Sequence, residues 1–202
     1  MLKGSKEYMP TYTLIAINVI VYVWTALLSQ NFIVISDEVI ARYGQYNLYV
    51  LNNGAYWQLF TAMFVHVSIV HIAGNMIFLL IFGLRAEEMF NIEEYLSIYF
   101  LTGLAGNVLT LFYGPNMLSA GASGAIFGMF GAVIIYAKRS MNQSIATALI
   151  YAFVMLILNA SAEVNILAHL GGLLVGLMLG YLVAATRRKA SVYNYRYSYS
   201  SR

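Results

Sequence analysis

The chain has 202 residues, 61% of them hydrophobic and 9% charged, with two prolines, no cysteine and a formal net charge of +3. A water-soluble domain carries roughly a quarter charged residues, so the composition excludes one and points to the bilayer. Without cysteine there are no disulfides, thiolate metal sites or cysteine nucleophiles.

Six apolar stretches follow in chain order, each near the ~20 residues needed to cross a hydrocarbon core. They run over Tyr12–Leu28, Val65–Leu84, Leu96–Phe112, Gly121–Ala137, Ile145–Ser161 and Val164–Ala185. No small-residue cleavage site follows the first, so it reads as a span rather than a removable signal peptide. The sequence predicts an all-α membrane protein, a six-helix transmembrane bundle with one domain over residues 1–189. Residues 190–202, with tyrosines alternating among serines, read as a disordered cytoplasmic tail. The connection between the first two spans is long and rich in aromatics (Phe32, Tyr43, Tyr46, Tyr49, Tyr56, Trp57), which suits the membrane–water interface. A connection of that length is usually functional or internally structured, and it is expected to lie partly in the outer leaflet.

Six spans put both termini on one side. That side holds Lys3, Lys6, Arg85, Lys138, Arg139, Arg187, Arg188, Lys189, Arg196 and Arg202, whereas the other holds only Arg42. Cytoplasmic loops carry the excess of Lys and Arg, so both termini are expected in the cytoplasm of a multi-pass cell-membrane protein. The same rule accounts for the basic C-terminal cluster, and no nucleic-acid partner is expected.

Several chemistries fall by elimination. An aspartyl intramembrane protease needs two carboxylates at membrane depth, and the only aspartate is Asp37, in the external connection. A helical zinc protease needs His-Glu-x-x-His, but His66 and His71 are five apart with no glutamate between them. A metal site of His66, His71 and His169 stays open arithmetically, without a nearby acidic residue to support it. A proton-coupled transporter would place acidic or basic groups inside its spans, and here only the histidines lie well inside, which weakens that reading without removing it.

Serine chemistry remains. Gly121-Ala122-Ser123-Gly124 opens the fourth stretch and His169 lies near the start of the sixth. A serine hydroxyl needs a base within hydrogen-bond reach, and with no aspartate at hand His169 would act as half of a dyad. The second, fourth and sixth spans all run inward from outside, so Ser123, His169, His71 and Asn75 share a level in the outer leaflet. His71 and Asn75 are four apart and share a helix face. Ser123 at a helix N-terminus has free backbone N–H groups and the positive dipole end nearby. Gly124 and Gly128, and Gly172, Gly176 and Gly180, have the small-xxx-small spacing that lets membrane helices meet backbone to backbone. Phe127, four residues after Ser123, could stack on the His169 ring. Each feature alone also has a plain packing reading, as Asn107 and Asn159 do for interhelical hydrogen bonding; their coincidence in depth and side does not.

These residues resemble the rhomboid intramembrane serine proteases from about Trp57 to Gly180. His71-Ile-Ala-Gly-Asn75 is similar to the family's His-x-x-x-Asn. Gly121-Ala122-Ser123-Gly124 is similar to its Gly-x-Ser-Gly, and Ala168-His169-Leu-Gly-Gly172-Leu-Leu-Val-Gly176 to its Ala-His-x-x-Gly-x-x-x-Gly. The resemblance implies a minimal six-span rhomboid fold with a membrane-embedded external loop between helices 1 and 2. It implies Ser123 as nucleophile, His169 as general base, and an oxyanion hole of His71, Asn75 and the Ser123 N–H. His66, Gly121, Gly124, Phe127 and Gly172 would support them. No metal or organic cofactor is implied. The partners would be the lipid bilayer and single-pass transmembrane substrates, cut near the outer membrane face at small, helix-destabilising residues. A catalytically silent rhomboid-like protein that binds membrane proteins is the alternative. Two departures stand out: Gln58 follows Trp57 where the family often has arginine, and Phe127 stands where it often has tyrosine.

Overall fold

The computed structural model describes residues 9–141 and 165–200. Among these, four helices are long and apolar enough to cross a membrane: Met9–Ser29, Ile69–Met89, Ile92–Tyr113 and Ile166–Arg187. They correspond to the first, second, third and sixth apolar stretches. The fifth stretch, 145–161, and Asn159 within it, lie outside the described residues.

Helix α1 spans Met9–Ser29. The segment after it contains short helices α2 (Asp37–Tyr43), α3 (Asn47–Asn53) and α4 (Gln58–Thr61), with strand β1 (Gln45–Tyr46) between α2 and α3. Gly54 closes α3 in the left-handed region at φ 69°, a conformation glycine adopts without a Cβ penalty. Residues 33–35 join the turn before the next long helix, where Ile35 N–H donates to Val67 O at 2.9 Å and Ile69 N–H to Ile33 O at 3.0 Å. The connection is therefore internally structured, as its length suggested.

Helix α5 (Ile69–Met89) starts four residues later than the apolar pattern predicts. Val65 and Val67 extend the hydrophobic run, but the Ser68 side chain caps the helix by accepting from His71 N–H. Helix α6 (Ile92–Thr110) starts four residues earlier than predicted, behind a capping box of Asn91 and Glu94. After it comes strand β2 (Leu118–Ser119), antiparallel to β1 with Gln45 opposite Ser119 and Tyr46 opposite Leu118. Helix α7 (Ser123–Met141) follows. Residues 124–133 are buried without a break, as befits an innermost helix that is apolar on every side. Helix α8 runs Ile166–Ser200, so its backbone is helical over residues 190–200 of the stretch whose composition reads as a disordered tail.

Glycines set the contact between α7 and α8. A Cβ on Gly172 would fall 1.9 Å from the Gly124 carbonyl oxygen, and one on Gly176 1.9 Å from the Gly128 oxygen. Gly180 meets Ala132 in the same way, at 2.4 Å. Two glycines that the sequence pattern does not single out bring in α6: Gly106 meets the Ala168 carbonyl, and Gly171 meets the Gly106 backbone. Helices α6, α7 and α8 thus approach backbone to backbone at the level of His169. The wider core around them is built from Met63, Leu79, Tyr95, Tyr99, Ile126 and Met129, all nearly fully buried.

The far ends of the long helices are tied by charge. The Arg187 guanidinium donates to Met89 O at 2.6 Å and Tyr136 Oη at 2.8 Å, and pairs with Glu94. Thr11 N–H donates to Glu87 at 2.8 Å, and the Thr11 hydroxyl contacts both Glu87 and Tyr95. At 1.5 Å per residue, roughly 20 Å of helix separates this end of α7 from Ser123. Arg85, Lys138, Arg139 and Arg187 all lie toward it, and Arg42 lies in α2 on the other side.

Candidate active site

Ser123 is the first residue of α7, so its own N–H and those just after it have no partner within the helix. The approach to it is fixed by backbone: Gly121 N–H donates to Ala62 O at 2.8 Å, and Gly121 takes φ 135°, which disfavours any side chain. Across the α7–α8 contact, His169 Nε2 and Ser123 Oγ are 2.9 Å apart, a hydrogen bond. The Phe127 ring stacks on the His169 imidazole with centroids 4.3 Å apart and planes 16° apart. The other imidazole nitrogen, Nδ1, is buried and has no hydrogen-bond partner among the described residues. Stacking and backbone placement, rather than a carboxylate, therefore orient the ring.

His71 comes from the first turn of α5, and its ring lies against Gly121. Asn75 sits one turn on and is buried, its Nδ2 donating to His71 O at 2.9 Å and its Oδ1 unpartnered. One amide hydrogen of Asn75 is thus spent on its own helix. His66 is fully buried, its Nδ1 3.2 Å from Phe64 O and its Nε2 accepting from Ala122 N–H at 3.5 Å. Its ring meets His71 edge-on at 5.3 Å. Both His66 nitrogens face backbone groups, an arrangement unlike a shared three-histidine metal site. Ser123, His71 and Gly121 are partly exposed, whereas His169 and Asn75 are buried.

The position after Trp57 is filled differently from what the resemblance leads one to expect, and it works. Gln58 is fully buried; its Oε1 accepts from Tyr46 N–H at 2.9 Å and its Nε2 donates to Ala41 O at 2.7 Å. A neutral amide stitches α2 to β1 where an arginine would place a charge. Asn107 donates to Leu59 O at 2.7 Å, joining α6 to α4 rather than to another long helix.

Three functional-site neighbours escaped the sequence patterns. Gln45 donates to Asn107 O at 3.0 Å, and Asn47 to Thr110 O at 2.9 Å. Asn165 donates to Thr110 Oγ1 at 2.7 Å and to Ser119 Oγ at 2.8 Å. The one available signal was Asn165 itself, a good helix-capping residue one turn before His169.

Comparison with known proteins agrees with this architecture. The Rhomboid domain profile matches residues 53–186. "Putative rhomboid protease YdcA" of Bacillus subtilis (strain 168) is 28% identical over 184 residues, covering 87% of this chain and 89% of that protein. "Rhomboid-like protease 3" of Toxoplasma gondii is 30% identical over 174 residues, covering 80% and 64% respectively. "RHOMBOID-like protein 6, mitochondrial" of Arabidopsis thaliana is 32% identical over 140 residues, covering 66% and 46%. The chain spans about half the length of the Arabidopsis relatives it matches, 46% in one and 50% in another. With the profile match extending over most of its length, the chain belongs to the rhomboid family.

Proposed function

We propose that this chain is an intramembrane serine endopeptidase that cuts transmembrane segments of single-pass proteins near the outer membrane face. The observation that carries the reading is the 2.9 Å hydrogen bond between Ser123 Oγ and His169 Nε2 at the head of two closely packed helices. For Nε2 to accept, the neutral imidazole carries its proton on Nδ1. As Ser123 Oγ attacks the scissile carbonyl carbon, Nε2 takes the hydroxyl proton and then delivers it to the leaving amine. Water, deprotonated by the same nitrogen, cleaves the acyl-enzyme ester. The developing oxyanion would be met by the Ser123 N–H, the His71 ring and the Asn75 amide. No metal or organic cofactor has a role in this scheme.

The membrane setting belongs to the same proposal. Six spans, with the fifth formed by 145–161, leave both termini in the cytoplasm and the site opening outward. The 30–68 connection, with Phe32, Ile33, Val34, Tyr56 and Trp57 all exposed, lies partly in the outer leaflet.

The test is cleavage of a labelled single-span protein in reconstituted vesicles by the wild type, Ser123→Ala and His169→Ala. Cleavage by the wild type alone supports the reading. Equal cleavage by Ser123→Ala would sink it, and binding without cleavage by any of the three would favour a silent, substrate-binding protein.

A further inference from the structure

Among the described residues nothing holds the second nitrogen of the base of the dyad. His169 Nδ1 is buried without a partner there, so no acceptor among them fixes the ring from behind. Phe127 limits its tilt, but a stacked ring can still slide in its own plane. What remains to set the Ser123–His169 distance is the position of the α8 backbone at its first turn.

That turn is held by one side chain. Asn165 immediately precedes α8 and is almost wholly buried. Its Oδ1 accepts from Ala168 N–H at 2.9 Å, capping the helix, and its carbonyl accepts from His169 N–H at 3.2 Å. Its Nδ2 spends both hydrogens on other segments: one on Thr110 Oγ1 at the end of α6, at 2.7 Å, the other on Ser119 Oγ in β2, at 2.8 Å. Ser119 lies four residues before Ser123 on the segment that delivers the nucleophile. Thr110 is itself pinned, its hydroxyl donating to Gly106 O at 3.0 Å and its carbonyl accepting from Asn47. Gly106 in turn packs on the Ala168 carbonyl, beside His169.

We propose that Asn165 is the positioning residue of the dyad: one amide ties the helix turn carrying His169 to the strand leading to Ser123. It supplies through the backbone the registration that a third, acidic member would supply through the imidazole. This rests on the serine-hydrolase reading of Ser123 and His169.

The test reads Ser123 directly, without a substrate, by its rate of labelling with a fluorophosphonate probe on the full chain in detergent. Asn165→Ser keeps a capping oxygen but is too short to reach Thr110 and Ser119. It is expected to lower the maximal labelling rate by on the order of 10²-fold, the usual consequence of a misplacement near 1 Å. The half-saturating probe concentration and the melting temperature stay close to wild type. Asn165→Asp keeps the cap, and its second oxygen can accept from the Ser119 hydroxyl once this turns toward it while Thr110 stays on Gly106, so it should restore part of the rate. The paired variant Thr110→Val/Ser119→Ala, with Asn165 intact, should fall toward the Asn165→Ser rate. A wild-type rate in Asn165→Ser, or a fall that merely follows its melting temperature, overturns the positioning role and leaves the protease reading standing. Wild-type labelling no greater than that of Ser123→Ala overturns the protease reading and the positioning role with it.

Discussion

Gly121 and the His71 imidazole touch: a Cβ on Gly121 would meet His71 Cε1 at 2.9 Å and Nε2 at 3.1 Å. The glycine takes φ 135°, so a side chain would be strained by the backbone as well as by the ring. Gly121→Ala should therefore push the proposed oxyanion donor aside and carry backbone strain of about 1–3 kcal/mol. Cleavage is expected to fall on the order of 10²-fold, as for a lost oxyanion donor elsewhere. The check is a double-variant cycle with His71→Ala. With the ring removed, adding Gly121→Ala should cost much less than it does alone, and fully additive losses would show that the contact is not the cause.

Glycines in one helix need not be equivalent to those in another. Gly172→Ala would drive a methyl into the Gly124 carbonyl, where backbone has to move, whereas a Cβ on Gly74 meets nothing within 4 Å. Gly172→Ala should thus lower the melting temperature and abolish fluorophosphonate labelling of Ser123 together. Gly74→Ala should leave both unchanged or raise stability slightly, by up to about 1 kcal/mol from helix propensity. Thermal unfolding in detergent, with labelling measured in parallel, separates the two.

Removing Gln58 strands partly buried groups. In Gln58→Ala the Tyr46 N–H and the Ala41 carbonyl lose their partner, at about 1 kcal/mol each, the lower end of the cost of a buried orphan. Hydrogen exchange should accelerate at Tyr46 and through α2, while residues 124–133 of α7 keep their protection. Unchanged exchange at Tyr46 would mean that water replaces the amide without penalty.

Arg187→Ala tests the far end by itself. It removes hydrogen bonds to Met89 and Tyr136 and the pairing with Glu94, partly exposed groups for which a loss of about 1–2 kcal/mol is expected. Chemical denaturation should show the loss. The labelling rate of Ser123 under native conditions should not move, because the α7–α8 glycine contacts at the other end remain.

How far the sequence reached depended on whether a contact follows from helical periodicity. Ser123, His71, Asn75 and His169 could be brought to one level because each lies a countable number of residues from a helix end, and helices have a fixed rise. The spacing of Gly124 and Gly128 and of Gly172 and Gly176 allowed these faces to meet, and the packed helices show that they do. Gln45, Asn47 and Asn165 could not be found that way. Their amides bind carbonyls and hydroxyls of segments distant in the chain, and that geometry exists only once the loops are packed. Ser68 was legible in principle as a cap, yet the apolar Val65 and Val67 masked it. Gly106 and Gly171 carry no repeat of their own, so the third helix of the glycine contact had no visible signature.

The two ends of the molecule are held by different forces. Arg187, Glu94 and Glu87 secure one end with charge, whereas neutral amides of Gln45, Asn47, Gln58 and Asn165 secure the end that carries Ser123. The Arg187–Glu94 pair is in direct contact, partly buried and well inside the Debye length of about 8 Å at physiological ionic strength, so dissolved ions weaken it only modestly, and they barely affect the neutral amides. Rising salt should therefore act, weakly, on the helix ends around Arg187 alone, while the geometry at Ser123 persists, because the amides that hold it present no net charge to the electrolyte.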